Sequence, residues 1–179
     1  MCNLNESIAK LSEFIEVNET LDTSLVFPFW VKDKNFRFLR YNQAMVDLLY
    51  PGATLDSLLA KTDWEYAQSK KLSESAVNRI KNCCSLSDKD AMYSEDITNQ
   101  YFEKVITMEN DELWLLTIKG RIPPKSKRGE GKGVIGMAIE FPSAEFILKQ
   151  NITETIKLSD NCYKLVNKKC KVNSSSRTY

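Results

Sequence analysis

Stretches rich in aromatic and β-branched residues occur in two groups along the chain, and residues with helical spacing separate the groups. The first group predicts two strands, Val26–Val31 and Phe36–Tyr41, joined by a polar turn as in a hairpin. The second group predicts three more strands, over 101–108, 112–122 and 133–141. Strands that flank a helical insert in this way indicate an α+β fold built on a five-stranded antiparallel sheet.

Helical spacing of apolar residues marks the insert and both ends of the chain. In the insert it predicts helices over 42–49, 55–59, 63–68 and 69–83, and the polar stretch Ser85–Asp90 is expected to end the last of them. The same spacing predicts a helix to about Val17 before the strands and one from Ser143 to about Lys168 after them. We therefore expect an N-terminal helix (1–22), a central domain (23–142), and a C-terminal helix with a linker (143–179).

The chain of 179 residues carries 25 basic and 24 acidic side chains, which leaves a net charge of +1. This balance argues against a chain-wide surface for nucleic acid or an anionic membrane, because both need excess positive charge. Met1 is followed by polar and acidic residues, and no apolar run suits a signal peptide or a membrane span. The 5 cysteines follow no metal-ligand spacing. We expect free thiols, a cytoplasmic location, no metal and no membrane partner.

Histidine is absent from the sequence. This excludes a histidine-ligated haem, a Ser–His–Asp or Cys–His catalytic unit, and a phospho-accepting histidine within this chain. The other acid–base residues form no recognisable catalytic constellation. We therefore expect a protein that is not an enzyme and has no catalytic residues.

Five segments, in order along the chain, resemble motifs of the PAS family. Two resemble its opening, Phe29–Asp33 and Phe38–Ala44. Lys61-Thr62-Asp63-Trp64 is similar to its GKTD segment, with Ala60 where glycine is usual, and 114–123 and 131–140 are similar to its last two strands. The resemblance implies a PAS fold, in which a curved sheet closes over short helices to form a cup for a small ligand. It also implies terminal helices on both sides that serve dimerisation and signalling.

The predicted strand 101–108 has two faces that differ in polarity. Phe102, Lys104, Ile106 and Met108 form the more apolar face, which we expect to point into the cup and to carry Lys104 towards a ligand. The alternative is that Lys104 reaches the rim and is solvated there. The candidate ligand-binding residues are Phe29, Tyr41, Trp64, Tyr66, Phe102, Lys104, Thr117 and Lys119. Core packing remains the alternative for Tyr41, Trp64 and Tyr66, and a solvated strand face for Lys119.

The cofactor-binding branches of the PAS family fit this sequence poorly. Asn82-Cys83-Cys84-Ser85-Leu86 lacks the arginine and phenylalanine of the flavin photosensor motif Asn-Cys-Arg-Phe-Leu. Haem ligation by histidine is excluded by composition. We therefore expect no haem or flavin, and a small organic molecule as the ligand. Cys83 and Cys84 are either a redox switch or buried helix residues.

The tail Lys168–Tyr179 resembles the start of a LuxR-type helix-turn-helix. This implies the sensory half of a PAS–LuxR-type transcription factor, a layout used by quorum receptors for pyrazine-like autoinducers. Such a protein reaches DNA only through an output domain that this chain lacks, and it forms a homodimer through its terminal helices. Two alternatives remain open: the input domain of a histidine kinase or cyclic-dinucleotide enzyme, and a stand-alone interaction module whose cup is filled by its own side chains.

Overall fold

The structure, a computed structural model, describes residues 27–109, 111–122, 133–141 and 154–166 of the chain. The predicted N-terminal helix (1–22) and the tail after 166 lie outside these residues. The described strands are β1 (Phe29–Asp33), β2 (Phe38–Tyr41), β3 (Thr98–Ile106), β4 (Glu112–Ile122), β5 (Gly133–Phe141), β6 (Glu154–Ser159) and β7 (Cys162–Val166). The described helices are α1 (Gln43–Leu49), α2 (Asp63–Ser69) and α3 (Glu74–Tyr93).

The described strands form one antiparallel sheet in the order β2-β1-β5-β4-β3-β7-β6. Its first five positions, with the helices inserted between β2 and β3, have the strand order of the PAS fold. The predicted α+β class and PAS fold are therefore confirmed. The sheet has seven described strands rather than the five expected.

The additional strands correct the prediction of a C-terminal helix. Residues 154–166, which were expected to continue a helix from Ser143, form the hairpin of β6 and β7, and β7 pairs with β3. The reason lies in the local sequence, where Ile156 and Leu158 alternate with polar residues and Asp160-Asn161 make the turn. In addition, the edge of β3 has backbone N–H and C=O groups that need partners. Strand β7 pairs with them, which a helix in the same place would not do.

Helix α3 differs from the prediction as well. It runs without interruption through Ser85–Asp90, the stretch expected to end it. Ser87 and Asp88 in this stretch are buried, at 0% and 1% exposure. Helix formers such as Lys and Ala surround them, and their polar groups find partners on the sheet. The short helix expected at 55–59 is a series of turns.

The sheet is covered on the face that carries the helices, where α3 packs against β3 and β4 and also contacts β5 and β7. Trp30 and Lys32 of β1 point to this face, and Phe29 and Val31 point to the opposite one. Phe29 and Val31 form a separate apolar cluster with Ile135 and are also buried. Both faces of β1 are therefore removed from water.

Asn42, between β2 and α1, connects the start of α1 to the start of β1. Its side-chain oxygen accepts from Met45 N at 3.1 Å, which caps the helix, and from Phe29 N at 3.1 Å. Its side-chain nitrogen donates to Phe27 O at 2.7 Å. Helix α2 begins with a capping box, in which the Thr62 and Glu65 side chains each accept from the other's backbone N–H.

Ala60 lies in the left-handed region of the backbone, with φ at 58°. Its N–H donates to Phe38 O at 2.9 Å, and Phe38 N donates to Lys61 O at 2.9 Å. This pairing holds the loop before α2 against β2 and requires the positive φ. The position is the one at which the family motif has glycine, because a residue without Cβ adopts this conformation without a steric cost.

Replacing Ala60 with glycine should therefore stabilise the protein. We expect Ala60→Gly to raise the free energy of unfolding by about 0.5–1 kcal/mol, because the relief of left-handed strain exceeds the added chain entropy. Urea denaturation measures the change. Ala76→Gly, within α3, is the control and should act in the opposite direction. A destabilised Ala60→Gly variant would show that the strain is not released.

Candidate functional site

A small cavity lies between the sheet and the helices, and we call this space the cup. Its volume is about 30 Å³. The apolar part of its wall consists of Trp30, Phe38, Met45, Leu49, Val105 and Leu115. The polar part consists of Lys32, Tyr50, Asp63, Cys84, Glu103 and Lys119.

Asp88 stands at the centre of a buried ion network beside the cavity. One of its carboxylate oxygens accepts from Lys32 Nζ at 2.7 Å, and the other accepts from Lys119 Nζ at 2.7 Å. Lys32, Asp88 and Lys119 are each at most 3% exposed. Two lysines from different strands are thus held by one carboxylate on α3.

The network extends in one direction through Lys32 to α2. Lys32 Nζ also donates to Asp63 Oδ2 at 2.7 Å, and Tyr50 Oη donates to Asp63 Oδ1 at 2.5 Å. The Phe38 ring lies under the same ammonium, with its centroid 4.7 Å from Nζ. This end of the network joins β1, the residue after α1, and the first turn of α2.

In the other direction the network extends through Lys119 to β3. Lys119 Nζ lies 2.9 Å from Glu103 Oε1 and donates to Ser87 Oγ at 2.6 Å. Glu103 also accepts from the hydroxyl groups of Ser87 and Thr117. The carboxylate of Glu103 therefore accepts from side chains of β4 and of α3, and it links the sheet to this helix.

The opposite charges in the network stabilise one another and offset the free-energy cost of burying them. Burial alone would lower the pKa of Lys32 and of Lys119, but the neighbouring carboxylates outweigh it and both pKa values are raised. Burial alone would raise the pKa of Asp88, but Lys119 and Lys32 hold that pKa below its usual value. The three groups therefore stay charged at neutral pH.

Tyr50 and Cys84, in contrast, are held in their neutral, protonated forms. Burial raises the pKa of both groups well above the usual values, and the negative charge of Asp63 raises them further. Burial and Glu103 also raise the pKa of the Cys83 thiol. A protonated thiol is a poor nucleophile, so these pKa shifts disfavour a redox role for the pair.

Trp30, which lines the cavity, carries a buried polar atom that has no hydrogen-bond partner in the described part of the chain. Its side chain is 5% exposed, and Nε1 is buried without a hydrogen-bond acceptor there. Gly136 makes this position of the indole possible, because a Cβ at Gly136 would lie 2.3 Å from the Trp30 ring. A buried N–H without an acceptor is costly.

Two of the sequence-predicted ligand residues lie on the cup side of the sheet. Lys119 lines the cavity and takes part in the ion network. Thr117 is fully buried beside it and donates to Glu103. The structure brings these two together, and their role in ligand binding stays a prediction.

The prediction that the face of β3 with Lys104 points into the cup is wrong. Glu103 and Val105, the neighbours of Lys104, line the cavity, so Lys104 is directed away from the cup. It forms an ion pair with Glu112, and its side chain is 27% exposed. The inward face of β3 is the one with Tyr101, Glu103 and Val105, because the carboxylate of Glu103 is neutralised inside by Lys119.

Phe102 and Phe29 also lie on the side of the sheet that faces away from the cup. Phe102 stacks on Trp114 with the ring centroids 4.8 Å apart, and Phe29 packs with Val31 and Ile135. Neither residue lines the cavity.

The remaining aromatic candidates are close to the cup but pack into its wall. Tyr41 and Tyr66 belong to the core cluster around Trp30, and the hydroxyl of Tyr41 donates to Leu55 O. Trp64 packs against the cluster of Ala67, Val77, Ile80 and Ile106. None of the three lines the described cavity.

Several central residues of the site were missed by sequence reasoning. Lys32 and Asp63 were recognised as parts of family-like segments, but no pairing between them was inferred. Asp88 was read as part of a helix-ending polar stretch, and Glu103 was placed on the outward face. A signal for Lys32 was its position in a strand of apolar neighbours, Phe29-Trp30-Val31, where a buried charge needs a partner.

Removing the central carboxylate should destabilise the protein strongly. We expect Asp88→Asn to lower the free energy of unfolding by about 1.5–3 kcal/mol, because each buried ammonium group loses one of its two carboxylate partners and keeps only Asp63 or Glu103. Urea denaturation monitored by tryptophan fluorescence measures the loss. Asp160→Asn breaks the exposed ion pair with Lys157 and should leave the midpoint unchanged. Equal midpoints for wild type and Asp88→Asn would contradict the network's role.

The network also predicts how stability depends on pH. The pKa of Asp88 is lower in the folded protein than in the unfolded chain, so its contribution is present above about pH 4 and is lost as the pH falls through the folded value. The pKa values of Lys32 and Lys119 are raised on folding, so their contribution is lost only above about pH 10. The stability gap between wild type and Asp88→Asn should be constant between these limits and shrink below about pH 4. A gap that widens in acid would contradict this assignment.

Among the residues that the structure describes, no helix has the length and apolar character to span a membrane.

Three solved structures that are similar to this chain are VqmA and two isolated PAS domains. VqmA bound to DPO is 14% identical, with 74% of this chain and 59% of that chain covered and a TM-score of 0.48. The PAS domain of BvgS from Bordetella pertussis is 22% identical, with 79% and 93% covered and a TM-score of 0.47.

A PAS domain from a two-component sensor histidine kinase is 12% identical, with 74% of this chain and 99% of that chain covered and a TM-score of 0.47. The chain thus spans about six tenths of the VqmA structure and nearly all of the two isolated PAS domains. No family model and no curated protein matches the sequence. The strand order and the inserted helices show that the described residues adopt the PAS fold.

Proposed function

We propose that this chain is a cytoplasmic sensory protein whose PAS domain binds a small molecule in the cup and is not itself an enzyme. The observation that carries this proposal is the cavity beside the buried ion network. The network brings ionisable side chains from three strands and two helices to one place. A pocket with an apolar wall and a few convergent polar groups is the usual form of a ligand site.

The size of the cavity limits what enters without rearrangement. A volume of about 30 Å³ accommodates about two water molecules. A larger organic ligand requires wall residues to move. Met45 and Leu49 are suited to this because they come from the short helix α1, and methionine has a flexible, unbranched side chain.

For the output we propose a transcription factor of the PAS–LuxR type that senses a diffusible signal as a homodimer. Its support is the likeness of the tail Lys168–Tyr179 to the start of a LuxR-type helix-turn-helix. DNA would be contacted only by that output domain. Sequencing the gene beyond the codon for Tyr179 tests this directly: a helix-turn-helix is expected, and a histidine-bearing dimerisation helix would contradict it.

A second function is favoured by the small cavity itself. With the cup almost filled by its own side chains, the domain would act as a stand-alone module for protein–protein contact. The two functions differ in one measurable property, since only the sensor carries a small molecule in the cup.

Native mass spectrometry of the protein purified from cells tests the sensor. We expect a bound small organic molecule. Val105→Leu adds a methylene group to the cavity wall and should weaken binding at least about tenfold. Val31→Leu makes the same change on the opposite face and should leave binding unchanged, as should Lys104→Met. An unliganded wild-type protein, with no added mass from any growth condition, would favour the interaction module.

A further inference from the structure

An apolar depression lies on the face of the sheet that is turned away from the cup, and we call it the outer groove. Its volume is about 130 Å³, against about 30 Å³ for the cup. Its lining consists of apolar residues, namely Phe27, Leu116, Ile118, Met137, Ala138 and Ile139. The side chains of Phe27 and Ile139 are 54% and 46% exposed. An exposed apolar depression of this kind marks a surface that another element covers.

The register of β4 and β5 places the groove on this outer face. Leu115 and Lys119 of β4 line the cup, so Leu116 and Ile118, which alternate with them, point to the other side. Leu116 pairs with Ile139 of β5, and Ile118 pairs with Met137. Residues that are directly opposite in a sheet share a face. The groove therefore runs across two central strands of the sheet.

The burial of neighbouring residues shows that something lies above this face. Phe29 and Ile135, which pack together beside Met137, are 0% and 5% exposed. Each described helix lines the cup, through Met45 of α1, Asp63 of α2 and Cys84 of α3. No described helix therefore covers Phe29 from the outer side. Neighbours within the same sheet face do not exclude water from above, so the cover comes from a segment outside the described residues.

Two internal segments are poorly suited to fill the groove. Residues 123–132 have no apolar side chain other than two prolines. Residues 142–153 connect β5 to β6, which are separated by β4, β3 and β7 in the sheet. That crossing is about 19 Å wide at the usual strand spacing. About twelve residues in helical form span about 18 Å, so the crossing uses their whole length.

The N-terminal segment, residues 1–26, has the pattern that the groove requires. Its apolar residues Ile8, Leu11, Phe14 and Ile15 have the spacing of one helix face, and Glu6, Glu13 and Glu16 lie on the other side of the same helix. Such a helix buries its stripe without burying a charge. A short helix with a single narrow stripe also needs an apolar surface to be stable.

The chain leads directly from this segment into the groove. Phe27 is the first described residue and is itself part of the groove wall. About nine residues separate Val17, where the predicted helix ends, from Phe27, and in extended form they reach about 30 Å. The stripe can therefore turn back over β5 and β4 of its own chain.

We propose that the N-terminal segment lies on the outer face of its own sheet, with Ile8, Leu11, Phe14 and Ile15 packed in the outer groove. This inference goes beyond the proposed sensory function and does not depend on it, because the groove and the cup lie on opposite faces of the sheet. The stripe is narrow and contacts one surface at a time. The segment is then part of the folded domain, and a homodimer uses a surface other than this stripe.

Nuclear Overhauser contacts in the full chain test the placement. The methyl groups of methionine and isoleucine are labelled with ¹³C, and Met137→Leu, Ile139→Val and Phe14→Leu assign the three signals of interest. We expect contacts from the methyl groups of Met137 and Ile139 to the ring protons of Phe14. A mixture of labelled and unlabelled chains separates contacts within one chain from contacts between two chains.

A double-mutant cycle measures the same contact by stability. Phe14→Ala and Met137→Ala should each lower the unfolding midpoint in urea. In the double variant the unfolding constant should differ from the product of the single effects by at least about fivefold, because each single variant already loses the shared contact. Glu13→Ala combined with Met137→Ala is the matched control and should be additive, since Glu13 lies on the other side of the predicted helix.

The results that overturn the inference are distinct from those that bear on the sensor. Contacts from Met137 and Ile139 to Phe14 that occur only between labelled and unlabelled chains assign the groove to a second copy. Contacts to Phe146 in place of Phe14 assign it to residues 142–153. Additive effects of Phe14→Ala and Met137→Ala, with no contact in the wild type, show that the segment lies elsewhere. A small molecule found by native mass spectrometry would support the sensor in all these cases.

Discussion

The bridge from Lys32 through Asp88 to Lys119 is the interaction on which the rest of the cup depends. Asp88 lies in the C-terminal half of α3, and its two lysines come from β1 and β4, so one carboxylate holds the helix to two strands of the sheet. Each lysine then holds a second carboxylate, Asp63 on α2 or Glu103 on β3. The desolvation of these groups is offset only if all partners are present. Through these ion pairs the network links three strands of the sheet to α2 and α3.

The fold was largely predictable because its strands are marked by local signals. The bounds of β4 and β5 agree with the prediction, and Asn42 caps α1 as its position suggests. The sequence failed where two periodicities compete: the apolar residues of 154–166 fit helical spacing as well as strand alternation, and pairing with β3 decides between them. The polar stretch Ser85–Asp90 likewise predicts the end of a helix, because the sequence does not reveal the partners that Ser87 and Asp88 have on the sheet. Helix α3 instead continues through this stretch.

The site was predictable in part: the structure has Lys119 and Thr117 on the cup side of the sheet, whereas Lys104, which the sequence directs into the cup, points away from it. The face of β3 was misassigned because the usual rule assumes one apolar, buried face and one polar, solvated face. Here the face away from the cup is also buried at Phe29, Val31, Ile135 and Phe102, and polar residues of β3 and β4 point inward to an ion network. The apolar character of Phe102 therefore does not tell which face of β3 points into the cup. The partners of Glu103 are Ser87, Thr117 and Lys119, and only Thr117 and Lys119 share a strand, so spacing along the sequence does not reveal the group.

Helix α3 connects the cup to the additional hairpin. Asp88 holds the cup lysines, and Asp90, two positions later, accepts from Tyr101 Oη at 2.7 Å and from Lys164 Nζ of β7 at 2.8 Å. The hairpin is also tied to β3 at the level of Glu103, which pairs with Cys162. Helix α3 is therefore connected to β7 both through the Asp90–Lys164 ion pair and through β3, with which β7 pairs. Because β7 is the last described element, the side chains of one helix link the cup to the final strand that the structure describes.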